Sequence, residues 1–299
     1  TNSQRAYRRG LGTTDRQSPI YNNPLWTTNI QKNPNTVERY ILGGQFNYKA
    51  ADWVTLIARA GMDHYTDERK SIFPINSSEA NGSGSVSESL ITSTQTNIDF
   101  IAQGGFDLSD RFDFGYLLGM NFNRRLSESR GGGYTNFILE TDKVFYDNAV
   151  IANRSTFIGE SEVRITAGYA QANLSYDNML FLNLTGRVET ASTYGDAKTF
   201  FYPSAELGFQ FSELLDNRET LSNGKLRLTY GRVGIEPAPY ATQTYFVNAA
   251  GGEGYGPSYD AGAYDGSFVR SSVQGNANLE PEIKTEYEAG IDLGFFNNR

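Results

Sequence analysis

Gly168-Tyr169-Ala170-Gln171-Ala172-Asn173-Leu174-Ser175-Tyr176-Asp177-Asn178 lies in the middle of a stretch, Arg164 to Phe211, whose patterning decides the fold. Gly168, Ala170, Ala172, Leu174 and Tyr176 are apolar or small, while Tyr169, Gln171, Asn173 and Ser175 between them are polar or amphipathic. After Asp177-Asn178 the alternation resumes, with Leu180, Leu182, Leu184 and Val188 set against Asn183, Thr185, Arg187 and Glu189. A third pattern opens on Phe201-Tyr202-Pro203-Ser204 and puts Phe201, Pro203, Ala205, Leu207, Phe209 and Phe211 on one side. Side chains of a strand point alternately to opposite faces, so these are three strands of a sheet with one apolar and one polar face. Asp177-Asn178 is the tight turn, and Pro203 stands near a strand start, where a missing ladder donor is tolerated.

Moving outward, Thr1 to Val37 has no periodicity and reads as a loop with a turn at Asn23-Pro24-Leu25-Trp26. A first strand from Glu38 carries Tyr40, Leu42, Phe46 and Tyr48 on one face, and a second carries Val54, Leu56, Ala58, Ala60 and Met62. Tyr65 to Leu90 is expected to be a polar insert, flexible around Asn81-Gly82-Ser83-Gly84-Ser85. Third and fourth strands follow, with Thr96, Ile98, Phe100, Ala102, Phe106 and Leu108, then Phe112, Phe114, Tyr116, Leu118, Met120 and Phe122. Leu126 to Ser161 is expected to be a second insert. Beyond Phe211, Leu226, Leu228 and Tyr230 mark an eighth strand and Glu236 to Lys284 the longest insert. Tyr287, Ala289, Ile291, Leu293 and Phe295 mark the last strand.

The composition agrees with an all-β chain. Tyr 19, Phe 19 and Gly 31 are high for 299 residues, and aromatic and glycine enrichment without a helical period favours strands. No apolar run is long enough for a transmembrane helix, but alternating barrel strands average out to a polar composition. The chain has no cysteine, which removes disulfides and thiolate metal sites, and its formal net charge of -8 argues against a nucleic-acid binder.

Connections alternate short and long, and the strand patterns run past the roughly 9–11 residues that a tilted strand needs to cross an apolar layer. Long structureless loops are uncommon in compact soluble domains and regular in outer-membrane barrels, which place short turns on the periplasmic side. Tyr40, Tyr48, Phe112, Phe122, Tyr176 and Phe201 fall near strand ends, as an aromatic girdle requires. The expected fold is an antiparallel up-and-down transmembrane β-barrel segment with long extracellular loops. Leu180, Leu182 and Leu184 then face lipid, and the Asp177-Asn178 turn is periplasmic.

Arg187, Glu189, Glu206, Arg227 and Glu288 fall on the polar face as lumen-facing residues, with ion pairing favoured over substrate binding as their role. Tyr255, Tyr259, Asp260, Tyr264 and Asp265 lie in a Gly/Tyr/Asp-rich loop suited to sugar or peptide contact, or to packing on a partner. Glu253, Asp260 and Asp265 supply oxygen atoms without EF-hand spacing, so a solvated loop is the favoured reading over a calcium site. His64, the single histidine, stands beside Asp63 with no nucleophile motif near it, and Arg130 to Gly133 lacks the strand–loop–helix setting of a phosphate loop. No catalytic residue, cofactor or metal site is expected.

Several motifs are more specific than the pattern. Tyr176-Asp177-Asn178, Phe201-Tyr202-Pro203-Ser204-Ala205, Phe211-Ser212-Glu213-Leu214, Gly224-Lys225-Leu226-Arg227-Leu228-Thr229-Tyr230-Gly231 with Val233-Gly234, and Asn278-Leu279-Glu280-Pro281-Glu282 follow one another in order. Together with Thr285-Glu286-Tyr287-Glu288-Ala289-Gly290 and Phe295-Phe296-Asn297-Asn298-Arg299, and more distantly Asn23-Pro24-Leu25-Trp26 and Asp52-Trp53, this order resembles the barrel of SusC/RagA-type TonB-dependent transporters. The resemblance implies an outer-membrane importer of Bacteroidetes-type bacteria, with a plugged barrel of about 22 strands, of which this chain supplies about nine. It implies a SusD-like lipoprotein as lid, energy from TonB-ExbB-ExbD acting through a plug, and a large nutrient, oligosaccharide or oligopeptide, as cargo. No TonB box, plug or carboxypeptidase-regulatory-like domain is recognisable, so residues 1-299 are expected to be one partial barrel domain lacking the plug and the last strands. Two other readings stay open at this level: a soluble or surface-exposed carbohydrate-binding β protein, and a porin or adhesin independent of TonB.

Overall fold

The computed structural model describes residues 27, 28, 33–75, 77, 82–141, 143–215, 219–248 and 268–296. Nine strands pair into one sheet: β1 (Asn35–Ala51), β2 (Val54–Phe73), β3 (Ser85–Ser109), β4 (Phe112–Thr135), β5 (Arg154–Tyr176), β6 (Leu180–Ala191), β7 (Phe200–Phe209), β8 (Leu221–Ile235) and β11 (Glu282–Phe295). Their order is sequential, β1-β2-β3-β4-β5-β6-β7-β8-β11, an up-and-down arrangement. Two short strands, β9 (Phe246–Asn248) and β10 (Phe268–Arg270), form a separate antiparallel pair inside the last long connection. Among the described residues no helix is long and apolar enough to cross a membrane. The all-β expectation holds, and so does the number of strands in the main sheet.

The chain divides into two compact units. One comprises Gly43–Gly61, Thr96–Arg124 and Val163–Arg299. Here the ladders turn the alternation into rows, because residues paired across antiparallel strands project on the same face. Ala172, Leu184, Ala205, Tyr230 and Tyr287 are successive partners across five strands, and so are Leu174, Leu182, Leu207, Leu228 and Ala289. The opposite face carries the row Asn173, Asn183, Glu206, Thr229 and Glu288. The apolar face is left uncovered: Phe46, Phe100, Leu118, Met120, Leu184, Phe201 and Leu228 are all exposed. Uncovered apolar rows of this extent belong to a sheet whose solvent on that side is not water.

The Asp177-Asn178 turn has the predicted form. Both residues have positive φ, 50° and 54°, and the Met179 N–H donates to the Tyr176 carbonyl at 2.9 Å. The loop between the paired Tyr176 and Leu180 is three residues long, and Asp and Asn tolerate the left-handed conformation that its first two positions take.

The other unit comprises Thr1–Leu42, Met62–Gln95 and Arg125–Glu162. It corrects two expectations. Tyr65 to Leu90 is mostly strand, since β2 continues to Phe73 and β3 starts at Ser85; half of the Leu126 to Ser161 stretch is likewise strand, at the end of β4 and the start of β5. Neither face of these extensions carries an apolar row, so hydropathy shows no period. Charges at i and i+2 do the work instead: Arg69 pairs with Asp67 at 2.6 Å, and Lys70 with Glu68 at 2.7 Å on the alternate face. The connection from Asn136 to Asn153 is folded on a small core of Val86, Tyr134, Phe137 and Ala149. Asn148 ties it together, accepting from the Leu139 N–H at 2.8 Å and donating to the Leu139 carbonyl at 2.9 Å. Gly84, at φ 84°, lies under the Phe137 ring, and the backbone pairing of Phe137 with Ser83 continues the hairpin past the strand ends.

Candidate functional site

The polar face gathers all five residues expected to be lumen-facing. Tyr169 pairs with Arg187 and Arg187 with Tyr202; Asn183 pairs with Glu206, Glu206 with Thr229, and Thr229 with Glu288; Gly208 pairs with Arg227. Arg187, Glu189, Glu206, Arg227 and Glu288 therefore share one side of the sheet. Arg227 holds Asp292 of β11 across the ladder, Nε to Oδ2 at 3.0 Å. Arg187 instead pairs within its own strand, donating from Nε to Glu189 Oε2 at 2.8 Å and from Nη2 at 2.6 Å. No ion pair holds Glu206 or Glu288 among the described residues.

Glu189 is the most enclosed of these carboxylates, and the reason is the connection between β6 and β7. Its second oxygen, Oε1, accepts from the Tyr194 hydroxyl at 3.1 Å. A phenol has a single proton to give, so Tyr194, 3.2 Å from the Tyr202 hydroxyl, accepts there and Tyr202 donates. Both tyrosines and Glu189 are buried. Burial first, then the Tyr202 hydroxyl and the negative Glu189, hold the Tyr194 phenol well above its ordinary titration range, so it stays protonated. The result is a chain of hydrogen bonds from an ion pair on β6 to a tyrosine on β7. Sequence reasoning placed Arg187 and Glu189 but not Tyr194, whose loop position carries no periodic signal; Tyr202 was legible only as part of a motif.

His64 is accounted for structurally: its Nδ1 lies 2.8 Å from Thr94 Oγ1, and its ring stacks on Tyr40 with centroids 6.5 Å apart. Asp63 is engaged by Arg39, whose Nε donates at 2.8 Å. Among the described residues no group of three or more His, Asp or Glu could hold a metal ion. Glu253, Tyr255, Tyr259, Asp260, Tyr264 and Asp265 lie outside the described residues, as does Asn23-Pro24-Leu25-Trp26.

A sheet with one exposed apolar face, one polar face and sequential antiparallel strands defines the wall of a membrane β-barrel. Residues 1–299 match the family described as TonB dependent receptor-like, beta-barrel, and the chain belongs to that family, whose barrels sit in the outer membrane. Its fold is similar to that of the RagAB peptide importer in the "open-open" state, at 17% identity and a TM-score of 0.79, covering 97% of this chain and 31% of that one. A second structure of the RagAB peptide transporter gives 18% identity, a TM-score of 0.79, and coverage of 97% and 32%. The siderophore receptor PiuA from Acinetobacter baumannii is more distant, at 15% identity and a TM-score of 0.51, covering 88% of this chain and 38% of that one. The chain thus spans about a third of the length of the solved structures it matches, 31% and 32% for the first two. No curated protein matches the chain. The family match removes the reading as a soluble carbohydrate-binding protein.

Proposed function

We propose that this chain is part of the barrel wall of a SusC-like outer-membrane importer that takes up a large nutrient, an oligosaccharide or an oligopeptide. The observation that carries the reading is the register: it puts Arg187, Glu189, Glu206, Arg227 and Glu288 on one face and the exposed Leu184 and Leu228 on the other. The polar face lines the lumen, and the apolar face meets lipid. The turn at Asp177-Asn178 is periplasmic, and the connections at the opposite strand ends are extracellular.

In this reading the chain is one partial barrel domain. Among the described residues β1 and β11 each have one neighbour in the sheet, and an unpaired edge in a bilayer is closed by further strands. The chain's role is not enzymatic. Uptake is energised by TonB-ExbB-ExbD acting through a plug, and a SusD-like lipoprotein covers the mouth. Tyr255, Tyr259, Asp260, Tyr264 and Asp265 contact cargo or that lipoprotein. The paired name of the RagAB importer supports a partner of this kind.

The test is uptake by cells carrying the full-length protein, offered labelled oligopeptides and oligosaccharides in parallel, with and without a proton-motive force. The reading expects uptake of one class, lost on de-energisation. Uptake that survives de-energisation would instead indicate a passive porin.

A further inference from the structure

The motifs that mark this chain are far apart in sequence and meet in space. Phe201-Tyr202-Pro203-Ser204 lies in β7, Val233-Gly234 near the end of β8, and Asn278-Leu279-Glu280-Pro281 just before β11. The Tyr202 ring lies over Gly234 so closely that a Cβ there would stand 2.2 Å from the Tyr202 hydroxyl. That hydroxyl donates to Tyr194 in the β6–β7 connection. The next residue, Gly195, donates its N–H to the Leu279 carbonyl at 3.2 Å. A Cβ on Gly195 would lie 1.9 Å from the Ala277 carbonyl oxygen, so only glycine allows the two backbones this approach. Lys198 adds a longer contact to Glu280 at 3.5 Å, and Pro281 is buried. The β6–β7 connection and Tyr202 of β7, joined by the Tyr194–Tyr202 hydrogen bond, therefore hold both described ends of the segment, its departure at Gly234 through Tyr202 and its return at Leu279 through Gly195.

Between those ends the segment is cross-braced. The Asn276 N–H donates to the Ala241 carbonyl at 3.1 Å, the Gly275 N–H to Thr244 Oγ1 at 2.9 Å, and the Ser271 N–H to the Tyr245 carbonyl at 2.9 Å. The β9–β10 pair continues the brace with three residue pairs. A two-stranded ladder of this length is not stable by itself in water, so its orientation depends on its base.

We propose that Tyr194, Gly195 and Tyr202 form a clasp that fixes the base of the arm formed by residues 236–248 and 268–281, and that opening the clasp frees these two braced stretches together. The hydrogen-bond chain makes the clasp specific. Arg187 holds one oxygen of Glu189, Tyr194 holds the other, and Tyr202 holds Tyr194, so the grip on the arm is referred back to the sheet. Loss of the Tyr194 hydroxyl takes this partner from both Glu189 Oε1 and the buried Tyr202 hydroxyl, and loss of the Tyr202 hydroxyl removes the bond that ties the loop carrying Gly195 to β7. The inference stands whichever partner or cargo the arm meets.

Hydrogen–deuterium exchange on the full-length protein in nanodiscs tests it, comparing wild type with Gly195→Val and with the double variant Tyr194→Phe/Tyr202→Phe. The clasp predicts that exchange at Ser271, Gly275, Asn276 and Leu279 rises together, on the order of tenfold or more, while the β6–β7 ladder changes less than about twofold. Unchanged protection of the arm in a folded Gly195→Val barrel would overturn the proposal. So would joint loosening of arm and ladder, which would make the node part of the sheet itself. Should Gly195→Val fail to assemble, judged by heat-modifiable gel mobility, Tyr194→Phe/Lys198→Ala is read by the same two outcomes.

Discussion

The hydroxyl of Tyr202 occupies space that a Cβ at position 234 would need, so the ring on β7 and the glycine on β8 are fitted to each other. Changing Gly234 to Ala pushes the ring outward and breaks its hydrogen bond to Tyr194. The expected cost is about 1–3 kcal/mol, the range for overpacking a filled site. Thermal unfolding in detergent should show it, and Tyr202→Phe/Gly234→Ala should lose less than the sum of the two single changes, because both act on one contact.

Replacing Leu184 by Arg should cost about 2–4 kcal/mol if the apolar row crosses the middle of the bilayer. Glu206→Gln on the opposite face, with no ion pair to break among the described residues, should change stability by less than about 0.5 kcal/mol. Folding into vesicles, followed by urea titration, reads both. Equal effects at the two positions would count against a two-solvent sheet.

Tyr134→Ala should empty the small core beneath the Asn136–Asn153 connection, since Tyr134 is 1% exposed and touches Phe137 and Tyr146. A loss of about 3–5 kcal/mol is expected for removing a buried aromatic ring. Its signature is local: protease cleavage within that connection should appear while the barrel remains resistant.

The pH dependence of the clasp follows from Tyr194, whose proton is held more tightly in the folded chain than in the unfolded one. Its contribution is therefore fully present below the ordinary tyrosine value of about 10, and it is lost as pH rises beyond that. Arm exchange, corrected for the intrinsic base-catalysed rate, should be flat from neutral pH to about 9 and rise only at higher pH. A rise between pH 6 and 8 would mean that another group controls the clasp.

How much of this was legible follows from what borders each residue. Leu182, Leu184 and Val188 alternate with Asn183, Thr185, Arg187 and Glu189, so the two faces of β6 differ in polarity and the strand could be read directly. The run from Tyr65 to Phe73 is as much a strand, but its charges Asp67, Glu68, Arg69 and Lys70 pair at i and i+2 and no apolar row marks either face, which looks like a loop in hydropathy. The core at Tyr134 and Phe137 was missed for a related reason: a few apolar residues scattered through a Gly- and Asn-rich stretch become a core only when the chain folds back on itself. The clasp was half visible. Tyr202, Gly234 and Leu279 stood out as motif residues, whereas Tyr194 and Gly195, which join them, have no local pattern and take their meaning from contacts with residues distant in sequence.

Which face meets lipid can be measured directly: these 299 residues contain no cysteine, so once any cysteine elsewhere in the full-length protein is replaced, single cysteines introduced here can each carry one nitroxide. In the full-length protein in outer-membrane lipid, labels at Leu184, Leu228 and Met120 should collide readily with oxygen and poorly with a water-soluble nickel chelate. Labels at Asn183, Glu206 and Thr229 should show the reverse. Nickel accessibility at the leucine positions equal to that at Glu206 would contradict the account, since the apolar rows would then face water.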